Sequence, residues 1–225
     1  MEYLVHLGIL FSIFAILALS LQLVVGYTGL LSVTHAAFYG IGAYVTALLI
    51  TSLGVNFFLA LVAGVIITAF VALLVGFVLS KFRGDYYALG SLGFNVIVFS
   101  IFLNWQDLTR GPLGIPGIAR PDILGFQFSE NIVFLVLSLV FLALSYWLSK
   151  WVTDSSFGRV LKAIREDEEA VSVFGYRTLF FKLAIFVFSA GIAAIAGALY
   201  ATYITFIDPS SFTINESIFI LAIII

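Results

Sequence analysis

The sequence has little charge and no cysteine. Only 10% of its 225 residues are charged, whereas a soluble domain carries about a quarter charged residues. Without cysteine the chain can form no disulfide, no thiolate metal site and no cysteine nucleophile. Its net charge of −2 offers no basic field for a nucleic acid. The composition thus argues against a nucleic-acid-binding protein and a thiol enzyme. It also indicates a chain whose surface is not wholly exposed to water.

Long apolar stretches make up most of the sequence. Hydrophobic residues account for 63% of the chain, and a bilayer core needs roughly 20 mainly apolar residues per helix. We predict an all-α fold, a polytopic transmembrane helix bundle that forms a single domain over residues 1–225. Its membrane segments, roughly seven in number, lie near residues 4–25, 30–50, 55–80, 86–104, 131–149, 181–206 and 216 to the end.

Two of these segments have special features. Segment 30–50 contains Thr34, His35 and two glycines, so it is also compatible with a broken or re-entrant helix inside the bundle. The last segment is apolar to its final residue. Because a backbone seldom ends in mid-bilayer, we expect the chain to be truncated at its C-terminus.

Lysine and arginine predict which ends of the helices are cytoplasmic. They are concentrated in the connections 81–85 and 150–182, which an even number of spans separates, so both connections are predicted to be cytoplasmic. The intervening loop 105–130 balances its arginines with acids and is predicted to face outward. Counting back places the N-terminus outside.

The predicted spans contain few polar groups. No Asp, Glu, Lys or Arg falls near the middle of any of them, although proton-coupled transporters and pumps usually bury such groups. The source of energy is therefore expected on another chain. Four polar residues within spans are candidates for lining a pathway: Gln22, His35, Ser91 and Asn95. Of these, His35 is better explained as a hydrogen-bonded histidine that packs between helices than as a coupling group.

Residues 156–175 predict one amphipathic helix on the cytoplasmic side. Ser155 and its neighbours offer N-cap oxygens, and Gly175 stands where a helix C′ glycine belongs. The polar face mixes both signs, which is compatible with a helix on the membrane surface and with one that docks on a cytoplasmic partner. The predicted apolar face consists of Phe157, Val160, Leu161, Ile164, Val171 and Phe174.

Four stretches resemble, in the same order, the permeases of branched-chain amino acid ABC importers. Residues 29–44 (GLLSVTHAAFYGIGAY) are similar to the family's second-segment signature, and residues 83–94 (RGDYYALGSLGF) to its first cytoplasmic turn. Residues 111–115 (GPLGI) resemble its outward glycine-proline loop, with Leu113 where Asn is expected. Residues 158–175 (GRVLKAIREDEEAVSVFG) resemble its cytoplasmic coupling motif.

The resemblance implies the partners of the chain. Two permease subunits, alike or different, would form the pore, and two cytoplasmic ATP-binding subunits would dock on their coupling helices. ATP and Mg²⁺ would bind to those subunits, so no cofactor is expected on this chain, and a periplasmic solute-binding protein would deliver the solute. The docking helix would use Gly158, Arg159, Arg165, Glu166, Glu168, Ala170 and Gly175.

The periplasmic loop 105–130 has two interpretations. Its prolines and glycines are typical of a stiff connector. It is also a candidate docking surface for the binding protein, through Asp107, Arg110, Arg120 and Asp122.

Other function classes remain as alternatives. The family also contains importers of urea and short amides, and a stand-alone secondary transporter or channel is a further possibility. A membrane-embedded enzyme is disfavoured, because neither His6 nor His35 is near a carboxylate with ligand spacing. The sequence therefore predicts a transport subunit without catalytic or metal-binding residues, located in a bacterial or archaeal plasma membrane, with leucine, isoleucine and valine as the expected solutes.

Overall fold

The structure is a computed structural model that describes residues 2–82, 84–123, 126–127 and 130–224, and only the backbone of residues 122, 123, 126 and 127. It confirms the all-α fold. The helices in chain order are α1 (Glu2–Thr28), α2 (His35–Leu53), α3 (Phe57–Leu79), α4 (Asp85–Asn104), α5 (Gln106–Thr109), α6 (Asn131–Asp154), α7 (Ser156–Glu166), α8 (Glu168–Val173), α9 (Thr178–Ile204) and α10 (Ile214–Ile224).

Strands and 3₁₀ turns occupy short parts of the connections. β1 (Ile115–Pro116) pairs antiparallel with β4 (Phe206–Ile207), and β2 (Asp122–Ile123) pairs antiparallel with β3 (Phe126–Gln127). The 3₁₀ helices are Gly111–Leu113 and Pro209–Phe212.

Six helices in the described part of the chain are long and apolar enough to cross a membrane: α1, α2, α3, α4, α6 and α9. The seventh predicted segment corresponds to α10, an apolar helix of 11 residues. The second segment begins later than predicted, because residues 29–34 are not helical and α2 starts at His35. The chain is a multi-pass membrane protein.

Small residues bring the helices together. On α9, Gly197 is so close to α2 that a Cβ there would stand 2.1 Å from the carbonyl oxygen of Tyr39. Gly42 of α2 permits a similar approach to the backbone of Ala194. Since lipid gives helices no hydrophobic reason to associate, such contacts hold α2 against α9. α3 also buries a row of small residues at four-residue spacing: Ala60, Gly64, Thr68, Ala72 and Gly76.

Contacts at the helix ends show which connections lie on the same face of the bundle. At one end, Ser80, Tyr87 and Lys182 line one small pocket, so the 81–85 connection meets the start of α9 there. Arg165 of α7 also reaches the end of α1 at this level. At the other end, β1 pairs with β4 beside the outer end of α9. The two basic connections therefore share one face, and loop 105–130 lies at the opposite one.

Gly197→Ala tests whether the stability of the bundle depends on the close approach of α2 and α9. The added methyl group would meet the Tyr39 carbonyl oxygen, so the free energy of unfolding should fall by about 1–3 kcal/mol. Gly93→Ala is the matched control, because a Cβ at Gly93 of α4 meets no atom within 4 Å. Thermal unfolding in detergent should lower the melting temperature of the first variant alone. Equal melting temperatures of Gly197→Ala and Gly93→Ala would contradict a stabilising contact between α2 and α9.

Candidate functional site

The segment predicted to be cytoplasmic forms two helices that meet at Asp167, which corrects the prediction of one continuous helix. Asp167 is extended, with φ −154° and ψ 98°. Its Oδ1 accepts a hydrogen bond from the Ala170 backbone N–H at 3.0 Å, so it caps α8. The two ends agree with the prediction: Ser155 Oγ accepts from the Phe157 N–H, and Gly175 is left-handed with φ +87°.

The inner side of α7 packs against the bundle. Leu161 and Ile164 are buried there. Gly158 leaves no room for a side chain, because a Cβ would stand 2.1 Å from the carbonyl oxygen of Thr153. Arg165 donates a hydrogen bond from Nη1 to the carbonyl oxygen of Gly26 and so ties α7 to the end of α1. Two residues of the predicted docking set, Gly158 and Arg165, therefore contact this chain itself.

Glu168 also contacts the bundle. Its Oε1 accepts from Lys182 Nζ at 2.6 Å and from Thr178 Oγ1 at 3.0 Å. Lys182 is only 7% exposed, so the ion pair is largely removed from water. Sequence reasoning missed Lys182, because a lysine near the start of an apolar helix is most simply interpreted as a cytoplasmic surface charge. This pair fastens α8 to α9.

The outer sides of α7 and α8 form an open groove of about 620 Å³ on the face predicted to be cytoplasmic, which we call the cytoplasmic groove. Arg159, Glu166 and Asp167 bring charges of both signs to it, and Phe174 and Tyr176 add apolar walls. Phe174 is 82% exposed, so it does not join the buried apolar face as predicted. The reason is the break at Asp167, which takes α8 out of the helical register of α7.

The other predicted docking residues lie at or beside the cytoplasmic groove. Ala170 lines the groove, and Gly175 follows the end of α8 at the surface. An exposed groove that combines a large apolar side chain with both signs of charge suits another protein chain. The structure thus places Arg159, Glu166 and Ala170 where a partner can reach them.

Three of the four predicted pathway residues are buried near the non-helical segment 29–34. Ser91 Oγ accepts from the Val33 N–H at 3.0 Å, and Asn95 Nδ2 donates to the Val33 carbonyl oxygen at 2.9 Å. The ring of His35 is fully buried beside the backbone of Ser20. Side chains of α4 thus provide hydrogen-bond partners for the backbone of this segment. A non-helical backbone at membrane depth requires such partners within the protein.

Ser217 of α10 completes this arrangement, although the sequence did not mark it. Its Oγ accepts from the Ala36 N–H at 3.0 Å and from Asn95 Nδ2 at 2.8 Å. We call His35, Ser91, Asn95 and Ser217 the polar cluster. Asn95 Oδ1 is a buried acceptor with no hydrogen-bond donor among the described residues. A serine at a helix start is a common residue, so no sequence signal distinguished Ser217.

Gln22, the fourth predicted pathway residue, lies apart from the polar cluster. Its side chain is exposed on α1. It lines a groove on the outside of the bundle together with Phe11 and Phe14 of the same helix and Ile223 and Ile224 of α10. The structure therefore brings His35, Ser91 and Asn95 together and leaves Gln22 on another surface.

α10 begins near the middle of the bundle. Phe212 packs on Phe102 near the outer end of α4, with ring centroids 6.0 Å apart. Ser217, in contrast, bonds to Asn95, which lies midway along the 20 residues of α4. Glu216, the neighbour of Ser217, consequently lies at mid-span depth. The sequence did not indicate this depth, because Glu216 stands at the start of an apolar segment.

Two of the four outward candidates are open to a partner. Asp107 and Arg110 are exposed, and Arg110 is left-handed with φ +59° where α5 ends. Arg120 is half-buried, donates to Asn131 Oδ1 at 3.2 Å and lies 5.9 Å from the centre of the Tyr203 ring. It therefore holds the outer loop to α6 and α9. Asp122 belongs to β2, and its side chain lies outside the described part of the chain.

A multi-pass bundle with a polar cluster at a helix discontinuity and an open cytoplasmic groove has the architecture of a membrane transport protein. The family comparison is more specific. Residues 3–225 match the family described as branched-chain amino acid transport system, permease component. The chain belongs to this family.

Individual relatives agree with the family. The chain is 36% identical to the high-affinity branched-chain amino acid transport system permease protein LivM of Escherichia coli (strain K12), over 98% of this chain and 57% of that protein. It is 28% identical to LivH of Salmonella typhimurium (strain LT2), over 88% of this chain and 69% of that protein. The chain thus spans 57% of the length of the Escherichia coli LivM. No solved structure matches it.

Lys182→Met tests whether the buried ion pair fastens α8 to α9. Without the cation, the Glu168 carboxylate loses its charge partner, so the free energy of unfolding should fall by about 1–3 kcal/mol. Lys150→Met is the matched control, because Lys150 is exposed at the end of α6. Thermal unfolding in detergent and limited proteolysis near α8 measure the difference. If the two variants were equally stable and equally resistant, the fastening role of Lys182 would be refuted.

Proposed function

We propose that this chain is a transmembrane permease subunit of an ABC importer and forms part of the pathway for leucine, isoleucine and valine. The observation that supports this is the family match over residues 3–225, together with relatives named for branched-chain amino acid transport. ATP hydrolysis takes place on a separate chain, since this sequence has no phosphate-binding GxxxxGK[ST] loop. The membrane is the plasma membrane of a bacterium or an archaeon.

The complete importer contains a second permease subunit and two cytoplasmic ATP-binding subunits. This chain is similar to proteins named LivM and to proteins named LivH, which supports a pore built from two related permease chains. A periplasmic solute-binding protein loads the pore from outside. On that side the exposed charges of Asp107 and Arg110 are available for contact, while Arg120 holds the loop in place.

The cytoplasmic groove receives a segment of the ATP-binding subunit. Two contacts connect this groove to the membrane helices: Arg165 binds the end of α1 at Gly26, and Glu168 binds α9 at Lys182. Residues 29–34 follow closely after Gly26 and lead to the polar cluster. A displacement of α7 and α8 by the ATP-binding subunit is therefore transmitted to residues 29–34, the segment that has no helical hydrogen bonds.

Glu166→Lys tests the docking role of the cytoplasmic groove. Reversing a charge in the groove places like charges opposite the partner, which should lower ATP-dependent leucine uptake about tenfold or more. Asp154→Lys is the matched control, because Asp154 is exposed at the end of α6 and is not one of the residues that line the groove. Both variants should insert into the membrane normally. The measurement is uptake of labelled leucine into vesicles that contain the complete importer.

The same vesicles test the solute. Labelled leucine should accumulate, and excess isoleucine or valine should compete with it, whereas excess urea should not. Uptake of urea or a short amide in place of leucine would contradict the proposed substrate. Uptake without any ATP-binding subunit would contradict the importer class and favour a stand-alone transporter. Unchanged uptake in Glu166→Lys would contradict the docking surface alone.

A further inference from the structure

Glu216 is an acidic residue at membrane depth that the proposed mechanism leaves unused. It lies in the first turn of α10, directly before Ser217, which bonds to Asn95 midway along α4. The Glu216 side chain is half-buried, and no hydrogen bond or ion pair joins it to another described residue. A carboxylate within the hydrocarbon region is costly, so such groups are retained where they pair with a charge or face a pathway.

The position of Glu216 at a helix start does not fully explain why an acidic residue occurs at this depth. An acid in the first turn is stabilised by the helix dipole, which is the ordinary explanation for such a residue. That effect is modest even at a water-exposed helix start, and at the middle of a bilayer it offsets only part of the cost of a charge. A cation beside Glu216 would offset the remaining cost of the charge.

The groups around Glu216 suit an ammonium ion. Phe212, four residues before Glu216 in the chain, packs on Tyr39, and Tyr39 packs on Tyr200, with ring centroids 5.1 Å and 5.4 Å apart. Aromatic faces attract organic cations, and they also accommodate an apolar side chain. Asn95 Oδ1, in the adjoining polar cluster, is a second acceptor without a donor among the described residues. The ring nitrogens of His35 in the same cluster also have no partner among the described residues. The Glu216 carboxylate and Asn95 Oδ1 are acceptors, which a ligand with hydrogen-bond donors would satisfy.

We propose that Glu216 binds the α-ammonium group of the amino acid as it passes through the permease. This rests on the proposed function, because it takes the solute to be a zwitterionic amino acid. α10 begins at mid-span, so its first turn presents the carboxylate where a solute crossing the bilayer is furthest from water. Tyr200 is the partly exposed member of this aromatic group and is open to the solute's hydrocarbon part. Glu216 is thus a solute-binding residue of the pathway.

The test uses the complete importer reconstituted in vesicles, with its ATP-binding subunits, second permease and binding protein. Three variants are compared with the wild type: Glu216→Gln, which keeps the shape and removes the charge; Glu216→Asp, which keeps the charge; and Asn215→Ala, an exposed neighbour on the same turn. Leucine uptake and ATP hydrolysis are measured together, with a protonophore present so that no proton gradient contributes. Co-purification of the subunits reports assembly.

Glu216→Gln should lower the leucine imported per ATP hydrolysed about tenfold, because the ammonium group loses a charged hydrogen-bond partner. Hydrolysis stimulated by the loaded binding protein should persist, and the subunits should still co-purify. Glu216→Asp should retain most of the uptake and Asn215→Ala all of it. A purely structural role would instead lower uptake, hydrolysis and assembly together.

Three results would overturn the proposal. Unchanged leucine uptake per ATP in Glu216→Gln would show that the charge is not needed. Loss of assembly in that variant would show that the carboxylate pairs with a basic group of another chain. Loss of wild-type uptake on adding the protonophore would show that uptake depends on a proton gradient, which would favour Glu216 as a proton carrier over an ammonium-binding residue. If the wild-type importer moved no amino acid at all, the proposed function itself would fail, and that result is distinct from these three.

Discussion

A peptide backbone that leaves the helical conformation inside a bilayer must find hydrogen-bond partners within the protein, because lipid offers none. This constraint determines how the centre of the bundle is built. Residues 29–34 are not helical, and the Val33 N–H and carbonyl oxygen are paired by Ser91 and Asn95 of α4. Ser217 of α10 pairs the Ala36 N–H at the start of α2. The start of α2 with the segment before it, α4 and α10 are distant in sequence and are thereby held together at one point.

The rest of the bundle supports that point from two sides. On the membrane side, the close contact of Gly197 with Tyr39 fixes α2 against α9. On the cytoplasmic side, α1 ends near Gly26, where Arg165 holds it, and α9 begins near Lys182, where Glu168 holds it. The cytoplasmic groove is therefore attached to the two helices that lead to the polar cluster and pack beside it. A force applied at the groove has a short covalent and hydrogen-bonded route to the centre of the membrane.

Much of the fold could be predicted from the sequence, because its determinants are local. Runs of about 20 apolar residues identify spans, and clustered Lys and Arg predict their orientation. The small residues of α3 recur at four-residue spacing in the sequence, and that row is buried in the structure. Asn95 and Ser91 stood out, because polar side chains are rare in apolar segments. These features needed no knowledge of which helices are neighbours.

The remaining features depend on tertiary contacts that periodicity does not encode. Asp167 fits a helical pattern by spacing, yet it caps a new helix and turns Phe174 out to the surface. Lys182 resembles a surface charge until its partner Glu168 is placed beside it. Glu216 resembles the flank of a span, because hydropathy alone does not reveal that the preceding residues descend to the middle of α4 before α10 begins.

A double-mutant cycle between Asn95 and Ser217 tests most directly whether these side chains hold α4 and α10 together at the centre of the bundle. Asn95→Ala, Ser217→Ala and the double variant are unfolded at equilibrium in mixed micelles. The 2.8 Å bond between the two side chains predicts a coupling free energy of about 1 kcal/mol, since the double variant loses the bond only once. Effects that add to within about 0.3 kcal/mol would contradict it.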